Sequence, residues 1–217
     1  MKNFLKYLAA AFAIVLTLAS CSEEKKRKAL LPNISGKAGE IIIVIDKGDW
    51  EGNVGNALRD SLACEAPFLP QREPLFTLVN VPQNAFNNMF QIHRNIIVMN
   101  INPSVTEPGV VIRKDVWATP QTVAYVNAID KDSAVMLIKE NSAKLVAVFE
   151  QAERDRIIRN IKKYEELKLA PVVENMIGGS PHFPSSYKLK KRTSDFIWIE
   201  YAIQGVTQGV LIYKYPV

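Results

Sequence analysis

Five consecutive β-branched residues, Ile41 to Ile45, constrain this chain more than any other stretch. A run without polar alternation, closed by Glu40 on one side and Asp46 on the other, predicts a strand covered on both faces. Beyond it, helix and strand signals alternate along the chain. Asp46 to Gly52 reads as a turn. Val54, Ala57, Leu58, Ser61 and Leu62 then recur at helical spacing, until Pro67 and Pro70 break the pattern. Leu75 to Val81 reads as a second strand. Pro82 starts a short helix with Phe86, Met89 and Phe90 on one face. Ile96 to Ile101 is another buried strand, stopped by Asn102-Pro103.

This β-α-β-α-β order predicts parallel neighbours. Val110 to Trp117 and Thr122 to Ala128 come next with no helix between them, which predicts an antiparallel pair. Asp130 to about Leu169 reads as one long helical stretch, capped by Asp132 or Ser133. Its apolar stripe is Val135, Ile138, Leu145, Phe149 and Ala152. Its charged middle, Glu150 to Arg159, reads as a solvated, ion-paired face. Pro171 kinks or ends the helix, and Gly178-Gly179 stops the segment after it. Tyr187 to Lys191, Phe196 to Tyr201 and Gln208 to Tyr215 predict a meander with Gly205 in a turn. The fold class is therefore α+β. It has a mixed sheet with a β-α-β-α-β-β-β start, one long helix packed on it, and a C-terminal antiparallel meander.

The N-terminus sets a place rather than a fold. Lys2 and Lys6 give a positive start, and Leu5 to Leu18 is apolar apart from Lys6, Tyr7 and Thr17. That stretch is short for a bilayer-spanning helix and has the form of a signal peptide. Leu18-Ala19-Ser20-Cys21 resembles the bacterial lipobox, in which the cysteine is acylated and becomes the new N-terminus. The reading is a signal peptide over 1–20, a lipidated tether over 21–39 and a single globular domain over 40–217. Acyl chains on Cys21 would hold the protein in the outer membrane without a spanning helix. Losing Lys2 and Lys6 lowers the net charge of +5 by two, to +3. Lys25, Lys26, Arg27 and Lys28 against Glu23 and Glu24 supply two of those three charges. The folded part is near neutral, so nucleic acid is not an expected partner. Cys64 has no second cysteine to pair with and reads as a small buried hydrophobe.

Four segments carry a family resemblance: Gly39-Glu40-Ile41-Ile42 with Asp46 to Gly52, Phe90 to Asn95, Gln151 to Arg156, and Gly178 to Pro184. With the lipobox, they resemble a family of Bacteroidetes lipoproteins classed as a domain of unknown function. That family carries no assigned activity, so the resemblance implies a location and no reaction. Its members run past the point where this chain stops. The resemblance therefore implies a further C-terminal portion, and a final meander with an open edge that favours self-association.

The loop after the first strand is the candidate ligand site, because open α/β sheets bind ligands outside the carboxyl ends of their strands. It offers Asp46, Asp49, Trp50 and Glu51 among Gly48, Gly52 and Gly55. The glycine spacing matches neither G-x-x-x-x-G-K-[ST] nor G-x-G-x-x-G, and no cofactor is expected. The three carboxylates suit a hard cation, or are turn and capping groups. An aromatic beside acids suits a glycan or a peptide segment, and an envelope protein is a further possible ligand. His93 reads as a structural histidine at a helix end. His182 lies in a loop without a nucleophile elbow. The leading expectation is a non-enzymatic binding or scaffold module. The alternative is a metal-assisted hydrolase using Asp46, Asp49 and Glu51.

Overall fold

A computed structural model describes residues 30–215; Cys21 and the expected signal peptide lie outside the described residues. The chain divides into two compact units, one ending at Ala152 and one starting at Glu153. The composition gives no sign of this division.

The first unit is built on a five-stranded sheet: β1 (Glu40–Val44), β2 (Thr77–Val81), β3 (Asn95–Ile101), β4 (Gly109–Lys114) and β5 (Thr122–Ala128), in the order β2-β1-β3-β5-β4. β1 pairs in parallel with β2 and β3, β3 in parallel with β5, and β4 antiparallel with β5. The sheet is mixed, as the loss of the intervening helix after β3 predicts. Ile41 to Ile45 are each at most 3% exposed, as their unbroken β-branching requires.

Alternation along the strands sends side chains to two covers. On one face Ile41, Ile43, Ile97, Met99, Ala124 and Val126 meet α2 (Asn53–Leu62), α4 (Lys131–Glu140) and the first half of α5 (Ser142–Lys163). Phe149 of α5 packs edge-on against Phe76, with ring centroids 6.3 Å apart. On the other face Ile42, Val44, Val81, Ile96 and Val123 lie under Phe86, Phe90, Val116 and Trp117. Phe86 precedes and Phe90 lies within a short α3 (Asn88–Gln91), whose cap is the Asn87 side chain accepting from Met89 N. Met89 itself points outward, 72% exposed, because a single turn cannot bury three consecutive faces.

Several expectations change in detail. The stretch from Asp130 is two helices, parted at Asn141. The Asn141 side-chain amide donates to Leu137 O at 2.9 Å and caps α4, and α5 restarts beyond it. The N-cap of α4 is Asp130, ahead of either expected residue. It forms a capping box with Ser133, whose backbone N–H also holds the Asp130 carboxyl below its usual range. A short α1 (Lys47–Glu51) stands where a turn was expected. Cys64, just past α2, is exposed rather than buried. The end of the expected tether is already inside the fold: Ser35 N donates to Ile92 O and Thr119 N to Pro32 O, both at 2.9 Å.

The second unit holds α6 (Ala170–Ile177) and a sheet of β6 (Lys188–Arg192), β7 (Phe196–Ile203) and β8 (Val206–Tyr213), antiparallel in the order β6-β7-β8. Leu169, Val173, Phe183, Ile197 and Ile199 form its core. Pro171 lies in the first turn of α6, where a missing N–H costs nothing, so it starts that helix instead of ending the preceding one. Gly178, in the left-handed conformation, ends α6 as expected.

Candidate functional site

The strand order reverses between β1 and β3, so the loop after β1 stands beside the crevice where open sheets take ligands. Here the local geometry turns that loop inward on itself. Asp46 O accepts from Asp49 N and Trp50 N, at 3.1 and 3.0 Å, and so starts α1. Asp49 is paired with Lys131 of α4, which raises the lysine pKa. Glu51 lies 3.6 Å from Lys47, one turn earlier. Trp50 is half-buried against the main core, with the Arg59 guanidinium 4.5 Å above its ring. Arg59 also donates to Trp50 O at 3.1 Å. Asn80 donates to Ile45 O at 2.8 Å and closes the strand end.

The four predicted residues are therefore neighbours in one helical turn, but Asp49 and Glu51 diverge towards separate lysines. Among the described residues no three side chains of metal-ligating type come together. His93 lies beside Glu40 at the amino end of β1, roughly 20 Å along the strand from Asp46. His182 belongs to the second unit and pairs with Glu165 at 2.9 Å.

A different surface is open and polar. The Phe86–Trp117 cover, two rings packed edge-on at 5.5 Å, lies over β1, β2 and the amino halves of β3 and β5. Beyond it, the carboxyl halves of β3 and β5 and the adjoining β4 carry Asn100, Tyr125, Asn127, Val111 and Arg113 on that same face. Two cavities lie there. One, of about 360 Å³, is lined by Asn100, Asn102, Asn127 and the loop Ser104 to Glu107. The other, of about 290 Å³, is lined by Val111, Arg113, Tyr125 and Asn127. Asn127 lines both, so the two cavities adjoin at this residue, and together they are called the groove below.

The groove's polar groups are fixed but not used up. Asn100 Nδ2 donates to Asn127 Oδ1 at 3.2 Å, leaving Asn100 Oδ1 and Asn127 Nδ2 as an acceptor and a donor side by side. Asn102 Oδ1 accepts from Ser104 N at 2.8 Å and orders the loop at one end. Arg113 lies 5.8 Å from the Tyr125 ring centroid, and among the described residues no carboxylate pairs with it. Burial pushes the Tyr125 hydroxyl above its usual range, with the Arg113 charge opposing. With Arg113 at one end and Glu107 at the other, the groove is electrostatically graded. Sequence reasoning missed it because its residues come from three strands. The signal was present in β5, where Tyr125 and Asn127 alternate with Ala124, Val126 and Ala128.

The sequence family described as a domain of unknown function (DUF8532) matches residues 34–162, more than half of the chain. The chain belongs to this family. The match spans the whole five-stranded sheet and contains both the groove and the Asp46 loop. Comparison with curated proteins and with solved structures gives no match.

Among the described residues, the buried polar ones, His93, Asn95, Gln121 and Thr122, lie at the amino end of the DUF8532 sheet. His93 is 7% exposed, with Nδ1 3.1 Å from Asn95 O and Nε2 3.4 Å from Glu40 Oε2. Gly36, at φ +89°, lies flush on the imidazole; a Cβ there would fall 2.0 Å from Nε2. Asn95 donates to Glu40 O at 3.0 Å. These contacts make His93 a structural residue of the DUF8532 domain. The Lys37 backbone N–H, 2.8 Å from Glu40 Oε2, holds the Glu40 carboxyl below its ordinary value; partial burial opposes this and His93 adds to it. A depressed folded-state value means stability that is present above the unfolded value and lost as pH falls through the folded one. The melting temperature is therefore expected to fall on acidification below pH 4.5, and Glu40→Gln to flatten that part of the profile. A profile unchanged by Glu40→Gln would contradict this.

Proposed function

We propose that this chain is an outer-membrane lipoprotein of the Bacteroidetes type, held through an acylated Cys21. Its DUF8532 domain is a non-enzymatic binding module that takes a glycan or a peptide segment in the groove on the open half of the sheet face. The observation that carries this reading is the groove itself. It presents two amides, a guanidinium and a phenol from strands whose other face is the main core, so the groups are held on a rigid support. Amides and a guanidinium match the paired hydroxyls of a sugar or the backbone of an extended peptide.

The test is a titration with neutral oligosaccharides, uronic-acid oligosaccharides and short peptides. Saturable binding is expected for at least one class. Arg113→Ala and Asn127→Ala are each expected to weaken it about tenfold, since a hydrogen bond to a charged or buried polar group contributes roughly 1.5 kcal/mol. Both residues are on the open face, so melting should move little. Binding that survives both substitutions would overturn the assignment of the groove.

A further inference from the structure

We infer that the uncovered face of the C-terminal meander docks on an anionic lipid bilayer. The inference concerns a different unit from the groove and does not depend on it. In β7, Ile197 and Ile199 point into the core of the second unit, so Phe196, Trp198 and Glu200 point the other way. Their partners in β8 follow the same parity: Tyr213 opposite Phe196, with ring centroids 4.9 Å apart, and Leu211 opposite Trp198. Trp198, Leu211 and Tyr213 are 36%, 52% and 60% exposed. The end of the face carrying Phe196, Trp198, Leu211 and Tyr213 is thus apolar and aromatic, with Glu200 next along β7 and no cover among the described residues.

Its rim is basic. Lys191 is the register partner of Trp198 and Lys188 of Glu200, which puts both lysines on this face. Among the described residues neither pairs with a carboxylate, whereas Lys190 lies 3.0 Å from Glu200. From Lys188 to Tyr215 the sequence has Lys188, Lys190, Lys191, Arg192 and Lys214 against only Asp195 and Glu200. A cavity of about 360 Å³ beside the face is lined by Lys188 and by the Lys190–Glu200 pair, so Lys188 is its unpaired cation among the described residues.

The two properties together select the occupant. A second copy would cover the rings but bring Lys188 and Lys191 no free carboxylate from this face, because Glu200 already lies against Lys190. A neutral apolar partner would cover the aromatic rings but leave the lysines without counter-charge. The headgroup region of an anionic leaflet satisfies both, because tryptophan and tyrosine favour that depth and lysines beside them meet phosphates.

The test uses the chain from residue 21 with Cys21→Ser, so that no acyl chain can hold it. It is floated with vesicles of phosphatidylglycerol and phosphatidylcholine, and with vesicles of phosphatidylcholine alone. Binding to the anionic vesicles is expected, weakening with added salt. Replacing Trp50 and Trp117 by phenylalanine leaves Trp198 as the sole indole, and its emission should shift to the blue on binding. Lys188→Glu with Lys191→Glu should weaken flotation about tenfold or more, with melting unchanged. Equal binding to both vesicles would overturn the inference. So would a silent Trp198, or a concentration-dependent dimer that buries it without lipid. Acyl chains on Cys21 are read separately, by mass spectrometry of the wild-type chain, so a failed anchor and a failed face give different results.

Discussion

Gly55→Ala is expected to destabilise the protein by about 3 kcal/mol or more, although the same change in an ordinary helix interior stabilises by roughly 1 kcal/mol. Gly55 lies buried in α2, directly beneath the end of α1. A Cβ there would sit 1.8 Å from Trp50 O and 2.5 Å from Trp50 C. Both are backbone atoms, so no rotamer change relieves the clash and α1 must lift as a whole. Lifting it withdraws Trp50 from the core and breaks the Arg59 hydrogen bond to Trp50 O. Chemical denaturation measures the effect. A stability equal to or above wild type would show that Trp50 is not packed as described, and would reopen the Asp46 loop as a free surface.

The second large effect is at Gln121, which is 1% exposed. Its Nε2 donates to Gln91 O at 2.6 Å and His93 O at 2.7 Å, and its Oε1 accepts from Trp117 N at 3.0 Å. One side chain thus ties the end of α3 to the segment leading into β5. Gln121→Leu keeps the volume but leaves three backbone groups without this partner. Each buried unsatisfied group costs roughly 1–3 kcal/mol, so a total loss of about 3 kcal/mol or more is expected. Because Trp117 and Phe86 form the cover next to the groove, ligand binding should weaken as well. A loss below about 1 kcal/mol would mean that water replaces the amide and that the cover is not held by Gln121.

Much of this architecture was legible because its signals are local. The unbroken run Ile41 to Ile45 could only be a doubly covered strand, and Thr122 to Ala128 was bounded to the residue. Of the stripe Val135, Ile138, Leu145, Phe149 and Ala152, the last four are buried and Val135 is half-buried against the same core. The break at Asn141 was not legible. An asparagine in a helical pattern is tolerated, and only its bond to Leu137 O reveals a cap. Met89 looked like a core residue because its spacing assumed a longer helix than the four residues that form. The groove was hidden for a different reason. Asn100, Arg113 and Tyr125 are distant in sequence, and parallel pairing of β3 with β5 together with antiparallel pairing of β4 with β5 is what places them on one surface. Conversely, Asp49 and Glu51 are close in sequence, and helical geometry with two lysines draws their carboxylates apart.

The central claim is that ligand binds the open half of the sheet face and not the loop after β1. Mapping backbone and side-chain amide shifts during titration with the best-binding oligosaccharide or peptide tests it most directly. Shifts concentrated on Asn100, Arg113, Tyr125 and Asn127, with the ligand recovered intact, are the predicted result. Shifts concentrated on Asp46, Asp49, Trp50 and Glu51, with metal-dependent cleavage of the ligand, would contradict it and establish the hydrolase reading instead.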